Sequence, residues 1–284
     1  MFKNCFILFF ALTISGSINA QANLLNSKTV DQIGQKNEQQ LAADNDGPIP
    51  YGYVDDRDVL WSKVVWEFVD LNQKINLPYY FPIDTTNIST DRRSLFDTLI
   101  KGIKQGKIKE AYSDSFFTSK ITQNEIDSRL ISVREEGGYT DTITLQTEDV
   151  EGYMIKGMWY FDKRQGELKY RLLALAPMGK DVQTLGVQDI EDEQLYELFW
   201  VFFPSARDVL HDAKVFNPKN ASQPISFDHL LNARRFSSVI VREENIYGNR
   251  AIADYVRGNS LFQLLEANKI KENIRDREMD MWNY

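Results

Sequence analysis

A chain of 284 residues with 43% apolar composition, 17 Phe, 13 Tyr and 5 Trp can bury a substantial core as one large domain or two smaller ones. Its 33 basic against 41 acidic residues give a formal net charge of -8, which excludes the electrostatic footprint of a nucleic-acid binder or of a protein drawn to anionic lipid. The single cysteine, Cys5, precedes the first apolar run, so thiol nucleophiles, cysteine metal sites and disulfides are absent from the chain beyond it.

Lys3, the apolar run from Phe6 to Ile14 and the small and polar residues from Ser15 to Ala20 follow the order of a secretory signal peptide. The run is roughly ten residues, short of the about 20 needed to span a bilayer, so removal is expected, after Ala20 or alternatively after Ala22. No later stretch is long enough to span; the densest, Leu195 to Phe203, is broken by Glu197. Residues 21–50 are rich in Gln, Asn, Asp and Ala and read as a disordered tether, because they carry too little apolar surface to offset ordering. The cluster Asp46-Gly47-Pro48-Ile49-Pro50 marks the start of the folded part.

The first predicted helix begins near Asp58. Leu60, Trp61, Val64, Val65, Phe68 and Val69 recur at three-to-four spacing, and the element stops before Asn76 and Pro78. Tyr79-Tyr80-Phe81-Pro82 reads as extended, and a second helix is predicted over Asp91–Ile103 with Leu95, Phe96, Leu99 and Ile103 inward. Thr140 to Thr147 is rich in Thr and Ile. The aromatic run Tyr153–Phe161, a turn at Asp162–Gly166 and the run Leu168–Leu172, continuing to Ala176-Pro177, then predict a β-hairpin with Lys169 and Arg171 toward solvent.

The acidic stretch Asp189–Glu193 suits a helix N-terminus. After it, Leu195, Tyr196, Phe199, Trp200 and Phe203 match Leu60, Trp61, Val64, Val65 and Phe68 at one offset, which Phe216 and Phe81 share. Phe227-Asp228-x-Leu230 likewise resembles Phe96-Asp97-x-Leu99. Two related lobes, residues 51–178 and 179–284, would account for this, and so would chance agreement between amphipathic segments. Ser260–Tyr284 reads as one long helix whose first turns pack through Leu261, Leu264 and Leu265. Its apolar tip of Met279, Met281, Trp282 and Tyr284 either folds back or docks on a partner. The fold class is thus α+β, with helical segments flanking a central antiparallel hairpin or sheet.

Chemistry-bearing motifs are sparse. No Gly-x-Ser-x-Gly surrounds Ser205 or any other serine. His211 and His229 stand beside Asp212 and Asp228 without His-Glu-x-x-His spacing. Gly179-Lys180 lacks the upstream glycine of a phosphate loop, and Asp55, Asp56 and Asp58 suit a capped helix start better than a cation site. Asn87-x-Ser89 and Asn220-x-Ser222 fit a glycosylation pattern that is frequent by chance. No catalytic, cofactor-binding or metal-ligating residue is therefore assigned. Carboxylates paired in space for glycoside hydrolysis are a separate possibility that one sequence leaves open.

Several long blocks carry a resemblance: DVLWSKVVWEFVDLNQKINLPYYFP, IKGMWYFD with YRLLALAP, LFWVFFPSARDVLHDAKVFNP, FDHLLNARRFSSVIVREENIYGNR and the closing REMDMWNY. From about Asp55 to Tyr284 the chain resembles the GldN/PorN family, exported components of the type IX secretion and gliding-motility machinery. The resemblance implies a non-enzymatic periplasmic protein bound to a GldK/PorK-type outer-membrane lipoprotein. It further implies a ring beneath the outer membrane, built by self-association, that meets the periplasmic part of a GldM/PorM-type motor protein. Met279, Met281, Trp282 and Tyr284, together with an exposed edge of the 153–176 hairpin, are the expected contact regions. The rival readings are a periplasmic carboxylate-dependent hydrolase acting on cell wall or glycan, and a free-standing ligand-binding module.

Overall fold

The structure, a computed structural model, describes residues 47–84, 92–136, 139–185, 194–217 and 225–281. The expected signal peptide and most of the tether, the acidic stretch Asp189–Glu193, both Asn-x-Ser motifs, Trp282 and Tyr284 lie outside the described residues.

In chain order the elements are β1 (Val59–Asp70), α1 (Leu77–Tyr80), α2 (Leu95–Lys104), β2 (Ala111–Tyr112), β3 (Lys120–Ile121), α3 (Gln123–Leu130), β4 (Ile131–Glu136) and β5 (Tyr139–Thr144). Next come β6 (Val150–Asp162), β7 (Glu167–Gly179), β8 (Tyr196–Glu197), β9 (Trp200–Phe202), α4 (Phe203–Asp212), β10 (Lys214–Val215), β11 (Ile225–Ser226) and α5 (Phe227–Asn232). The chain closes with β12 (Val239–Glu243), α6 (Ile252–Tyr255) and α7 (Ser260–Met281). The main sheet is antiparallel throughout, ordered β12-β1-β6-β7-β9-β2-β3, with β8 also on β7. The predicted β6–β7 hairpin is its centre, and the α+β class holds.

The first predicted helix is instead the strand β1. Strands alternate faces, and both faces of β1 are covered, so its apolar residues need not alternate and can mimic a helical stripe. Val65 and Val69 are buried on one face and Trp66 on the other, while Leu60, placed inward by the helical reading, is exposed. The supposed copy of that helix, from Leu195 on, forms β8, β9 and only the start of α4, whose first turn Pro204 opens. Tyr79-Tyr80 is helical, not extended: Pro78 sets the first turn of α1, and Tyr79 is buried there, stacked on Phe227 at 6.2 Å. Helix α2 follows the reading closely. Ser94 caps it by accepting from the Asp97 N–H, and Leu95, Phe96, Leu99 and Ile103 are buried.

One sheet face carries two apolar clusters. The larger packs α2, α4 and α5 against Val69, Ile155, Leu172 and Leu175; the smaller seats Ala267, Ile270 and Ile274 of α7 on Val65 and Ile240. The long C-terminal helix is therefore present, but Leu261, Leu264 and Leu265 do not pack its first turns: all three are exposed, and the inward register begins at Ala267. On the opposite face Trp66, Tyr112, Ala174, Ala176 and Trp200 form a third cluster beneath the β2–β3 loop. Lys156, opposite Trp66 in register, holds that loop: its ammonium donates to the Ser115 carbonyl (2.8 Å) and lies 4.9 Å from the Phe116 ring centre.

Gly157 marks a close approach at the centre of the hairpin. A Cβ there would stand 2.0 Å from Tyr170 Oη and 2.2 Å from Cζ. Gly157→Ala is expected to destabilise the fold by about 1–3 kcal/mol through overpacking. Adding Tyr170→Leu should recover part of that loss in urea unfolding, whereas strict additivity would show that the ring is not the obstacle.

Candidate interaction surface

The buried charges form structural pairs. Glu67, on the same face of β1 as Val65 and Val69, is fully buried between the two clusters. Arg234 donates to both its oxygens (3.1 and 2.9 Å), and Ser238 donates a further short hydrogen bond. Arg234 is the left-handed residue that ends α5, and its guanidinium stacks 4.0 Å from the Tyr170 ring centre. Burial drives the Tyr170 phenol far above its ordinary range. A second pair joins α4 to α5: Arg207 Nε and Nη2 donate to the Asp228 carboxylate at 2.7 and 3.0 Å. Arg207 Nη2 also donates to the Ile49 carbonyl, and Tyr51 lies between the guanidinium groups of Arg171 (3.9 Å) and Arg207 (4.2 Å) with its hydroxyl on Asn232. The segment leading into β1 is thereby strapped to the body. Arg171 is accordingly half-buried rather than turned to solvent, and so is Lys169, which binds the buried Asp162. Burial alone would raise the Asp162 carboxyl, but the Lys169 ammonium and the N–H groups of Gln165 and Arg164 outweigh it and hold the acid below the usual range.

The residues screened for chemistry have ordinary partners. Asp55 caps the turn Asp56–Asp58 and Asp58 pairs with Arg164, so the Asp55–Asp58 cluster starts the first strand. Asp228 faces Arg207, and the His229 backbone N–H donates to the capping Ser226 hydroxyl. Ser205 Oγ donates to the Phe202 carbonyl. Among the described residues no group of three His, Cys, Asp or Glu could hold a metal. Among the described residues every carboxyl displaced from its ordinary acidity, namely Asp55, Glu110, Asp114, Glu125 and Asp162, is displaced downward, opposite to the proton donor a glycosidase needs.

The first turns of α7 carry one group of exposed apolar side chains. Leu261, Phe262 and Leu265 are 61%, 57% and 54% exposed. A groove of about 510 Å³ runs beside them, lined by Val239, Val241, Ala251, Ile252, Leu261 and Leu264, with no charged side chain among its lining residues. One wall is β12, the outer strand of the sheet: β1 pairs its inner side, and on the other side a single bridge joins Arg242 to Ala251. The central hairpin offers less edge than expected. β6 is paired on both sides, and β7 is covered by β9 and β8 from Ala174 onward, leaving Glu167–Leu173 without an outer strand among the described residues. Of the tip residues, Met279 is exposed and Met281 half-buried. The groove escaped the sequence because β12 was not recognised, although Ser237-Ser238-Val239-Ile240-Val241 carries the β-branched signal of a short strand.

No helix of the described residues is long and apolar enough to cross a membrane. A family model described as Gliding motility associated protein GldN matches residues 54–283. No curated protein matches the chain.

Proposed function

The chain belongs to the GldN family of gliding motility associated proteins, and from that premise we propose that it is a non-enzymatic structural subunit of a periplasmic ring in the type IX secretion and gliding-motility machinery. The observation that carries this reading is the family match over residues 54–283, joined to an apolar groove and exposed leucines at one end of α7. The buried cations and carboxylates are spent on internal pairs, which favours a surface role over hydrolysis. In this reading the protein reaches the periplasm through its signal peptide and is held at the inner face of the outer membrane by a GldK/PorK-type lipoprotein. It meets a GldM/PorM-type motor protein on another side. The contact regions toward these neighbours include the C-terminal tip Met279–Tyr284.

Affinity purification from envelope extracts followed by native mass determination tests the proposal. The expected result is a complex holding many copies of this chain together with a lipoprotein. A single free chain of at most 33 kDa would reject it.

A further inference from the structure

We propose that the segment Ile49–Tyr53 is a removable guard over the outer edge of β7, and that its release lets Glu167–Leu173 pair antiparallel with the same edge of a second copy. The inference is independent of the ring reading. Within the segment the side chains alternate as in a strand: Ile49 and Tyr53 are exposed, and Tyr51 between them packs inward against the larger apolar cluster. The Tyr51 ring stands between Arg171, which β7 contributes, and Arg207 of α4. The Ile49 carbonyl accepts from Arg207, and the Tyr53 carbonyl accepts from Arg164 in the turn that precedes β7. The segment thus runs toward the turn from which β7 departs, antiparallel to it, beside the stretch that has no outer strand among the described residues.

Side chains, not a backbone ladder, hold this cover. Among the described residues no backbone hydrogen bond joins residues 47–55 to Glu167–Leu173, and Pro50, which has no N–H, cannot donate one. Such a cover can lift without breaking a ladder, and the strand beneath it keeps the outward N–H and C=O groups that invite another strand. The edge is complementary to itself. Glu167, Lys169 and Arg171 share one face of β7 by its period of two. Antiparallel pairing of two such edges about Lys169 sets Glu167 of each copy opposite Arg171 of the other. The two Lys169 side chains meet on the axis, each already bound to the buried Asp162 of its own copy. Arg171 lies against Tyr51 while the guard is down, so release of the segment is what frees it for Glu167. The contact is isologous and stops at two copies.

Hydrogen exchange and native mass of the full chain test both halves of the inference. Tyr51→Ala with Arg164→Ala removes the inserted ring and the donor to Tyr53 while leaving the Arg207–Asp228 pair in place. In dilute solution the peptide covering Glu167–Leu173 should then exchange about tenfold faster than in the parent, while Tyr153–Gly157 of β6, paired on both sides, is unchanged. Raising the concentration should restore the protection and double the native mass. Glu167→Arg in the released chain should abolish that doubling, and adding Arg171→Glu should bring it back. Unchanged exchange at Glu167–Leu173 would show that the segment covers nothing, and fast exchange at every concentration would show that the bare edge does not pair with itself. A doubling indifferent to both charge changes would mean that the copies meet elsewhere. The single variant Tyr51→Ala should show the same pattern more weakly, and equal acceleration of β6 in both variants would make the segment part of the core rather than a guard. Each of these four results overturns the inference.

Discussion

Arg234→Met is expected to cost about 3–5 kcal/mol of unfolding free energy, because it leaves the fully buried Glu67 carboxylate without its cation. The methionine keeps much of the arginine stem against Tyr170, Trp159 and Phe236, so the loss reports mainly the missing charge. The double variant Glu67→Leu, Arg234→Met should be far closer to the parent, since removing both charges abolishes the desolvation cost that each repays. Urea unfolding of the parent, both single variants and the double variant closes the cycle. A double variant as unstable as the sum of the singles would show that the two residues act separately. The pair is worth this attention because of its place: it sits between the cluster under α7 and the larger cluster under α2, α4 and α5, so its loss should loosen the seat of α7 first.

The second large effect belongs to the strap. Asp228→Ala strands the Arg207 guanidinium between α4 and α5 and should again cost about 3–5 kcal/mol. It should also free the segment before β1, because the same guanidinium donates to the Ile49 carbonyl and flanks the Tyr51 ring. Limited chymotrypsin digestion then gains a cut at Tyr51 before the body unfolds. Tyr51→Ala provides the contrast, since it keeps the ion pair and should lose much less stability. Equal losses from the two would mean that the strap rather than the ion pair holds α4 to α5.

Much of the fold was legible where local chemistry and tertiary context agree. The β6–β7 hairpin announced itself by two aromatic, β-branched runs around a turn, and α2 by a clean inward face of Leu95, Phe96, Leu99 and Ile103. Helix α3 was equally legible and was passed over: Thr122 and Glu125 form a capping box that the T-x-x-E spacing states in the sequence. The family, too, was readable from the aromatic blocks, and its model covers residues 54–283.

By itself, the sequence determined the class, the central hairpin, the start of the last helix, the family and the lack of thiols after Cys5, because each depends on composition or on spacing within a few residues. Only the tertiary structure decided that Val59–Asp70 is a strand, since three-to-four spacing and a strand buried on both faces leave the same apolar record. It alone decided which turns of α7 pack: Ala267 is buried in a cluster with Val65, Ile240 and Ile252, whereas Leu261 is left exposed at an open groove beside β12. The pairing of Glu67 with Arg234 and of Arg207 with Asp228 was likewise beyond local reading, because the partners meet across long stretches of chain and only folding brings the charges together.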